Sequence, residues 1–330
     1  MSKKLIYTFI FFLSGIIMAF GQQDSRLNFR PFADMYENPA ALVNKRQWQG
    51  IVNYRNSMPG FEDGPQTFYF GIGGPVGMYK SNSNVTYRHA YTRKKIARHA
   101  LGAYVVQDNF GHIGYNSYIL NYAQRFPISG SYSFSLGVGF GLYDYQVYSD
   151  KLRVKYSNDP TYYQYLNEHD QFLLGDLNLG IEFSGPNFRL GFATKHLANN
   201  KVKFRDTPDY ASLNETYTGF AKATFDVKDN IVMVPGINGV YTQGIPYDLK
   251  ISAPFVFHEM FMAGIGYSLN KSVSVETGLY KGGLFIGYSF TINTSELHSF
   301  SDLAHQVAVG YVLPFTPDAR DKFSIGEALF

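Results

Sequence analysis

Ser131-Tyr132-Ser133-Phe134-Ser135-Leu136-Gly137-Val138-Gly139-Phe140-Gly141-Leu142 decides the fold of this chain. Every odd position is serine or glycine, and every even position is large and apolar. Alternation held for twelve residues marks a strand about twice the ordinary length. One face suits hydrocarbon; the other wants space or water. A soluble sheet can use such a strand, but a membrane barrel of tilted strands of about 9–11 residues requires it.

The rest of the chain agrees with a membrane. Lys3 and Lys4 precede an apolar run, Leu5–Phe20, interrupted only by Thr8, Ser14 and Gly15. Ala19-Phe20-Gly21 places small residues ahead of a cleavage point before Gln22, so residues 1–21 read as a secretory signal peptide. A transmembrane anchor is the competing reading, but the run is shorter than the roughly 20 apolar residues a helical span needs. The formal charge of +3 drops to +1 when Lys3 and Lys4 leave, so overall charge points to no partner and to no nucleic acid. With no cysteine, lipoprotein anchoring, thiol catalysis and a disulfide framework are all excluded. No long apolar run follows the signal, yet tyrosine, phenylalanine and glycine are abundant. Export, no helical spans and many aromatic alternating segments together point to the outer membrane.

Strands and turns then follow in order. The predicted strands are Gln47–Asn56, Gln66–Ile72, His99–Gln107, Tyr115–Phe126, Ser131–Leu142, Leu173–Phe183, Phe188–Lys195, Tyr217–Phe225, Ile231–Tyr241, Asp248–Phe257, Met260–Ser268, Val273–Tyr280, Leu284–Ile292 and His305–Phe315. The fold expected is an all-β, transmembrane antiparallel β-barrel of the bacterial outer membrane with about 14 strands. Asp176 and Glu182 lie on the inner face of an otherwise apolar strand; a dry core makes such acids costly, and a wet lumen does not. Arg189 and Lys195 on the next strand are placed to face them across the hairpin. The short connections Pro127–Gly130, Gly185–Asn187, Val227–Asn230 and Lys281–Gly283 fall at one end. The long ones, Tyr148–Asp170, Leu197–Glu215 and Asn293–Ala304, fall at the other. Short periplasmic turns and long external loops put the N-terminus in the periplasm. The domain plan is signal 1–21, a periplasmic or luminal segment 22–46, a barrel 47–315 and a tail 316–330. Asp24–Arg46 lacks strand alternation and is expected in the lumen or across its periplasmic mouth. Gly73–Arg98 stands out as a long, basic connection on the periplasmic side.

Several segments resemble the PorP/SprF family of outer-membrane proteins of the type IX secretion system. Glu37-Asn38-Pro39-Ala40-Ala41 resembles the family's entry motif. Pro59-Gly60-Phe61-Glu62-Asp63-Gly64-Pro65-Gln66-Thr67 resembles its first external turn, and Lys151-Leu152-Arg153 with Asn158-Asp159-Pro160 its large middle loop. Asn187–Asn199, with Lys195-His196-Leu197, and the segments Gly287–Phe290 and His305–Leu313 resemble later strands. Thr316–Phe330 and the long basic connection depart from the pattern. The resemblance implies a non-enzymatic accessory without a cofactor that assists export and surface retention of an adhesin-like client, contacts the type IX translocon or periplasmic machinery, and takes part in gliding motility. A passive or hydrophobic-solute transport barrel is the alternative.

Chemical motifs are sparse. His89, His99, His112, His169, His196, His258, His298 and His305 make no paired metal spacing, and Glu168-His169-Asp170 reads as a polar loop tip. No Gly-x-Ser-x-Gly elbow is present. The candidate client-binding loop carries Lys151, Arg153, Tyr156, Tyr162, Tyr163 and Tyr165, because tyrosine covers much area at small entropic cost. An interfacial aromatic girdle explains the same residues. Arg88, Arg93, Lys94, Lys95 and Arg98 form a basic patch for outer-membrane lipid headgroups or for a periplasmic partner. Asn38, Pro39, Gly60, Phe61, Pro65, Gln66, Lys195 and His196 are candidate functional positions only through the resemblance.

Overall fold

A computed structural model describes residues 27, 33–45, 47–61, 63–80, 95–129, 132–148, 171–198, 202–203, 213–269, 271–294 and 303–313. A four-residue helix, α1 (Asp34–Glu37), leads into a 3-10 turn, Pro39–Asn44. The strands are β1 (Trp48–Asn56), β2 (Gln66–Lys80), β3 (Lys95–Phe110), β4 (Ile113–Ser129), β5 (Tyr132–Val147), β6 (Gln171–Ser184) and β7 (Phe188–Lys195). Then come β8 (Thr216–Ala223, continued by Phe225–Lys228), β9 (Ile231–Met233 and Gly236–Thr242), β10 (Asp248–Phe257), β11 (Phe261–Ser268), β12 (Ser272–Lys281), β13 (Leu284–Asn293) and β14 (Leu303–Leu313). Each strand pairs antiparallel with its neighbours, and β1 pairs with both β2 and β14, closing a 14-strand barrel.

Burial is inverted relative to a soluble protein. Phe140 is 60% exposed on the outside while Glu182 is 1% exposed on the inside. Val52, Phe68, Leu120, Ile251 and Ile286 point outward; Asn53, Asn121, Asn178 and Gln306 are buried. Lipid covers the first set, and the lumen satisfies the second.

The wall is uneven in height. β10–β14 run 8–11 residues, the length a tilted strand needs to cross a bilayer. β2–β6 run 14–17 residues. The outward faces of β3, β4 and β5 turn polar at Gln107, Asn109, Asn116, Asp144 and Gln146, so the surplus length stands clear of the apolar band, by roughly 12 Å at about 3.3 Å per residue and a 40° tilt. The connection after Val147 leaves from this tall wall.

Two expectations need correction. The ladder between β2 and β3 continues to Lys80↔Lys95, so Gly73–Pro75 and Arg98 are strand, and the connection shrinks to residues 81–94. Gly73-Gly74-Pro75 has a turn's composition but serves packing. A Cβ on Gly74 would lie 2.6 Å from Trp48, and one on Gly73 would lie 2.6 Å from Leu42 Cδ1. Trp48 Nε1 also donates to the Pro75 carbonyl at 3.2 Å. The eighth and ninth strands are not continuous. They break at Thr224 and Val234–Pro235, where Pro235 has no N–H for the ladder. The last strand is described over Leu303–Leu313; residues 314–330 lie outside the described residues, as do residues 1–21, the expected signal segment.

Candidate functional site

Fourteen strands about 4.8 Å apart, tilted by about 40°, close a cylinder of roughly 14 Å backbone radius. One layer of inward side chains takes up about 5 Å of that, leaving a hole about 18 Å across, wider than a helix of about 10–12 Å. In this barrel part of that space is taken by the chain itself. Residues 33–45 pack along the inner face of β2–β7. Ala40, Ala41, Leu42 and Val43 are buried there, in a setting where most inward positions are polar.

The seat is made of glycine. A Cβ on Gly137 would lie 2.6 Å from Ala40 Cα. One on Gly180 would overlap Asn38 Oδ1 and lie 2.9 Å from Pro39 Cδ. One on Gly191 would lie 2.8 Å from Asn38 Nδ2. The small inner face of β5 is therefore neither empty nor wet at Gly137; it receives the Pro39–Ala40 backbone. Across the ladder Gly141 faces Asp176, Gly139 faces Asn178, and Ser135 faces Glu182.

Asn38 does two jobs with one amide. Its Oδ1 accepts from Ala40 N at 2.9 Å, capping the 3-10 turn, and its Nδ2 donates to the Ile181 carbonyl at 3.0 Å. Pro39 follows at the first position of the turn, where a missing N–H costs nothing. Asn44 Nδ2 donates to Glu182 Oε1 at 2.7 Å, and Arg125 donates to Asn44 Oδ1. Asn238 Nδ2 donates to Glu37 Oε2 at 3.1 Å, tying the segment to β9 as well. Lys45 Nζ donates to Asp34 Oδ1 at 2.9 Å and to Gln49 Oε1 at 3.1 Å.

Behind Asn44 lies a buried ion pair. Arg189 Nε and Nη2 donate to the two Glu182 carboxylate oxygens at 2.6 and 2.7 Å, and Ser184 Oγ adds a bond at 2.9 Å. This is the cross-hairpin pairing expected from the sequence for Arg189. Lys195 instead sits 3.8 Å from the centre of the Tyr36 ring. Between Tyr36, Tyr104, Tyr115, Tyr143 and Lys195 remains a cavity of about 10 Å³, room for about one water.

Burial pushes the Asp34 carboxyl up, but Lys45, backed by Lys222 and Arg189, holds it below the ordinary carboxylate range. A depressed folded value means this stabilisation is present above the unfolded pKa and lost as pH falls through the folded one. Lys222 and Arg189 act on Asp34 from the wall, so their share of this stabilisation holds the segment in place down through the ordinary carboxylate range near pH 4 and is lost only below it. Bilayer current followed against pH checks this: the acid-induced rise should be absent from Asp34→Asn.

The other candidate positions separate into two groups. Lys151, Arg153, Tyr156, Tyr162, Tyr163, Tyr165, Arg88, Arg93 and Lys94 lie outside the described residues; Lys95 opens β3 and Arg98 is exposed on it. Gly60, Phe61 and Pro65 form the β1–β2 connection, closed by Ser57 N donating to the Pro65 carbonyl at 2.9 Å, and Gln66 begins β2. Gly60 has φ +97°, a value that favours glycine. His196 is buried at the top of β7, its Nδ1 2.9 Å from Asp176 Oδ2. Ala198 N donates to the other Asp176 oxygen at 3.1 Å, so Lys195-His196-Leu197 fastens a chain reversal. Among the described residues no cluster of three His, Asp or Glu side chains is arranged to hold a metal.

A closed antiparallel barrel with an apolar outside and a charged inside is an outer-membrane β-barrel protein. The chain belongs to the family of type IX secretion system membrane proteins PorP/SprF, whose sequence profile matches residues 19–311. Membership gives it a secretion-related role in the outer membrane, alongside other components of that machinery. No curated protein matches. Among solved structures, Omp33 of Acinetobacter baumannii is 7% identical, over 82% of this chain and 100% of that one, with a TM-score of 0.48. The CymD monoaromatic hydrocarbon channel is 11% identical, over 84% and 92%, also at 0.48. The KdgM porin is 10% identical, over 80% and 99%, at 0.35. These are likenesses of barrel form alone.

Proposed function

We propose that this barrel is a non-enzymatic accessory of type IX secretion that assists export of an adhesin-like client, retains it at the cell surface and contributes to gliding motility. The N-terminus and the short connections face the periplasm, and the tall wall β2–β6 rises outside the cell. The observation that carries this reading over a solute channel is the occupied seat. Polypeptide stands where a solute path would run, bonded to β6 through Asn38 and to β9 through Glu37.

In this reading the Tyr148–Asp170 connection meets the client, with Lys151, Arg153, Tyr156, Tyr162, Tyr163 and Tyr165 as contacts. The basic residues Arg88, Arg93, Lys94, Lys95 and Arg98 meet a periplasmic component of the machinery, with anionic headgroups as the competing partner. One experiment reads both: affinity purification of the full chain from detergent-solubilised outer membrane. Deleting Thr161–Tyr165 should cut client recovery by about tenfold or more, since losing aromatic anchors costs about 2 kcal/mol or more. Arg93→Glu with Lys94→Glu and Lys95→Glu should lose periplasmic components while keeping the client. Recovery unchanged by the deletion defeats the client loop; recovery unchanged by the charge reversal leaves the basic residues to lipid.

A further inference from the structure

We propose that the glycine seat on β5–β7 is a reversible polypeptide-binding site, filled at rest by the chain's own residues 33–45 and vacated during export. The chemistry it recognises is that of the present occupant: an asparagine–proline turn followed by a small residue. This rests on the export reading above and adds a moving part to it.

Three features of the seam argue for a contact that opens rather than a permanent core. The seat is nearly featureless. Gly137, Gly180 and Gly191 offer backbone and no side chains to interlock with the Asn38–Ala40 turn, so the turn can leave these three strands without displacing a side chain at those positions. The two strongest charge pairs do not cross the seam. Glu182 is held from its own wall by Arg189 at 2.6 Å and by Ser184. Asp34 is held from its own segment by Lys45 at 2.9 Å. Release therefore breaks neither pair, avoiding the large penalty of stranding a buried charge. The polar contacts that do cross are hydrogen bonds of Asn38, Asn44, Lys45 and Asn238, and Met35, Tyr36 and Leu42 pack beside them on Tyr69, Tyr104 and their wall neighbours. Each such hydrogen bond adds little net stability, because water replaces it.

The absence of cysteine makes a direct test possible. Glu37→Cys and Asn238→Cys replace the two partners of the 3.1 Å bond that joins the segment to β9. A short bifunctional maleimide ties the segment in place, whereas N-ethylmaleimide caps both thiols and leaves it free. The readout is surface protein biotinylated on intact cells, scored on the species that disappears when the whole chain is deleted. Heat-dependent gel mobility verifies that both forms are folded barrels. The tied form should lose that surface species to the level of the deletion, and the capped form should retain it. Equal display by tied and capped forms would overturn the release step while leaving the export role standing. If deleting the whole chain removes no surface species, the export reading falls and the release step falls with it.

Discussion

Gly180→Val should turn a quiet barrel into a conducting one. A Cβ at this position overlaps Asn38 Oδ1 and comes within 2.9 Å of Pro39 Cδ. Asn38 has no free direction to retreat. Its oxygen is held by Ala40 N and its nitrogen by the Ile181 carbonyl. Overpacking of this kind costs about 1–3 kcal/mol, and each lost hydrogen bond about 1 more. A total near 3 kcal/mol shifts the seated-to-unseated ratio about a hundredfold. In planar bilayers the variant should show that rise in open-state current over the parent protein. Gly219→Ala is the matched control, because a Cβ there meets nothing within 4 Å and should leave the current unchanged. Current in Gly180→Val equal to the parent would mean that the segment does not close the lumen.

The same position shows what the sequence could and could not disclose. The alternation of β5 and β6 was legible because side-chain direction in a strand has a strict period of two. It placed Gly137 and Gly180 on the inner face, and Asp176 and Glu182 with them. The Glu182–Arg189 pairing was legible too, since the three-residue turn at Gly185–Asn187 puts the two strands side by side. The bond from Asn38 to Ile181 spans 143 positions, and no local pattern marks it. Asn44, Lys45 and Asn238 were missed for the same reason. Their only sequence signal was negative: Asp24–Arg46 carries no strand period although it directly precedes a barrel. Gly73-Gly74-Pro75 was misread because composition alone cannot tell a glycine that turns the chain from one that makes room. Here Trp48, on the neighbouring strand, and Leu42, outside the ladder, supply the reason. The breaks in β8 and β9 likewise depend on where Pro235 falls relative to its neighbours.

Removing Arg189 alone should destabilise the barrel more than removing the pair it belongs to. Arg189 is 1% exposed, and both Glu182 oxygens accept from its guanidinium. Arg189→Met leaves a carboxylate inside the wall hydrogen-bonded to Ser184 and Asn44, with Lys222 the nearby cation that acts on it. Breaking a buried pair from one side costs about 3–5 kcal/mol, because the remaining charge is left uncompensated. Glu182→Gln alone strands the guanidinium in the same way. The double variant Glu182→Gln with Arg189→Met strands neither, so it should recover a large part of that loss. Urea unfolding of the four proteins in vesicles measures the coupling directly. A favourable coupling of about 2 kcal/mol or more is expected, with single losses that do not add. Purely additive losses would mean that the two side chains do not act as one unit. The Asn44 bond then separates structure from closure. Asn44→Ala removes a contact across the seam and leaves the Glu182–Arg189 pair intact. It should therefore raise bilayer current while moving the unfolding midpoint far less than either single charge substitution.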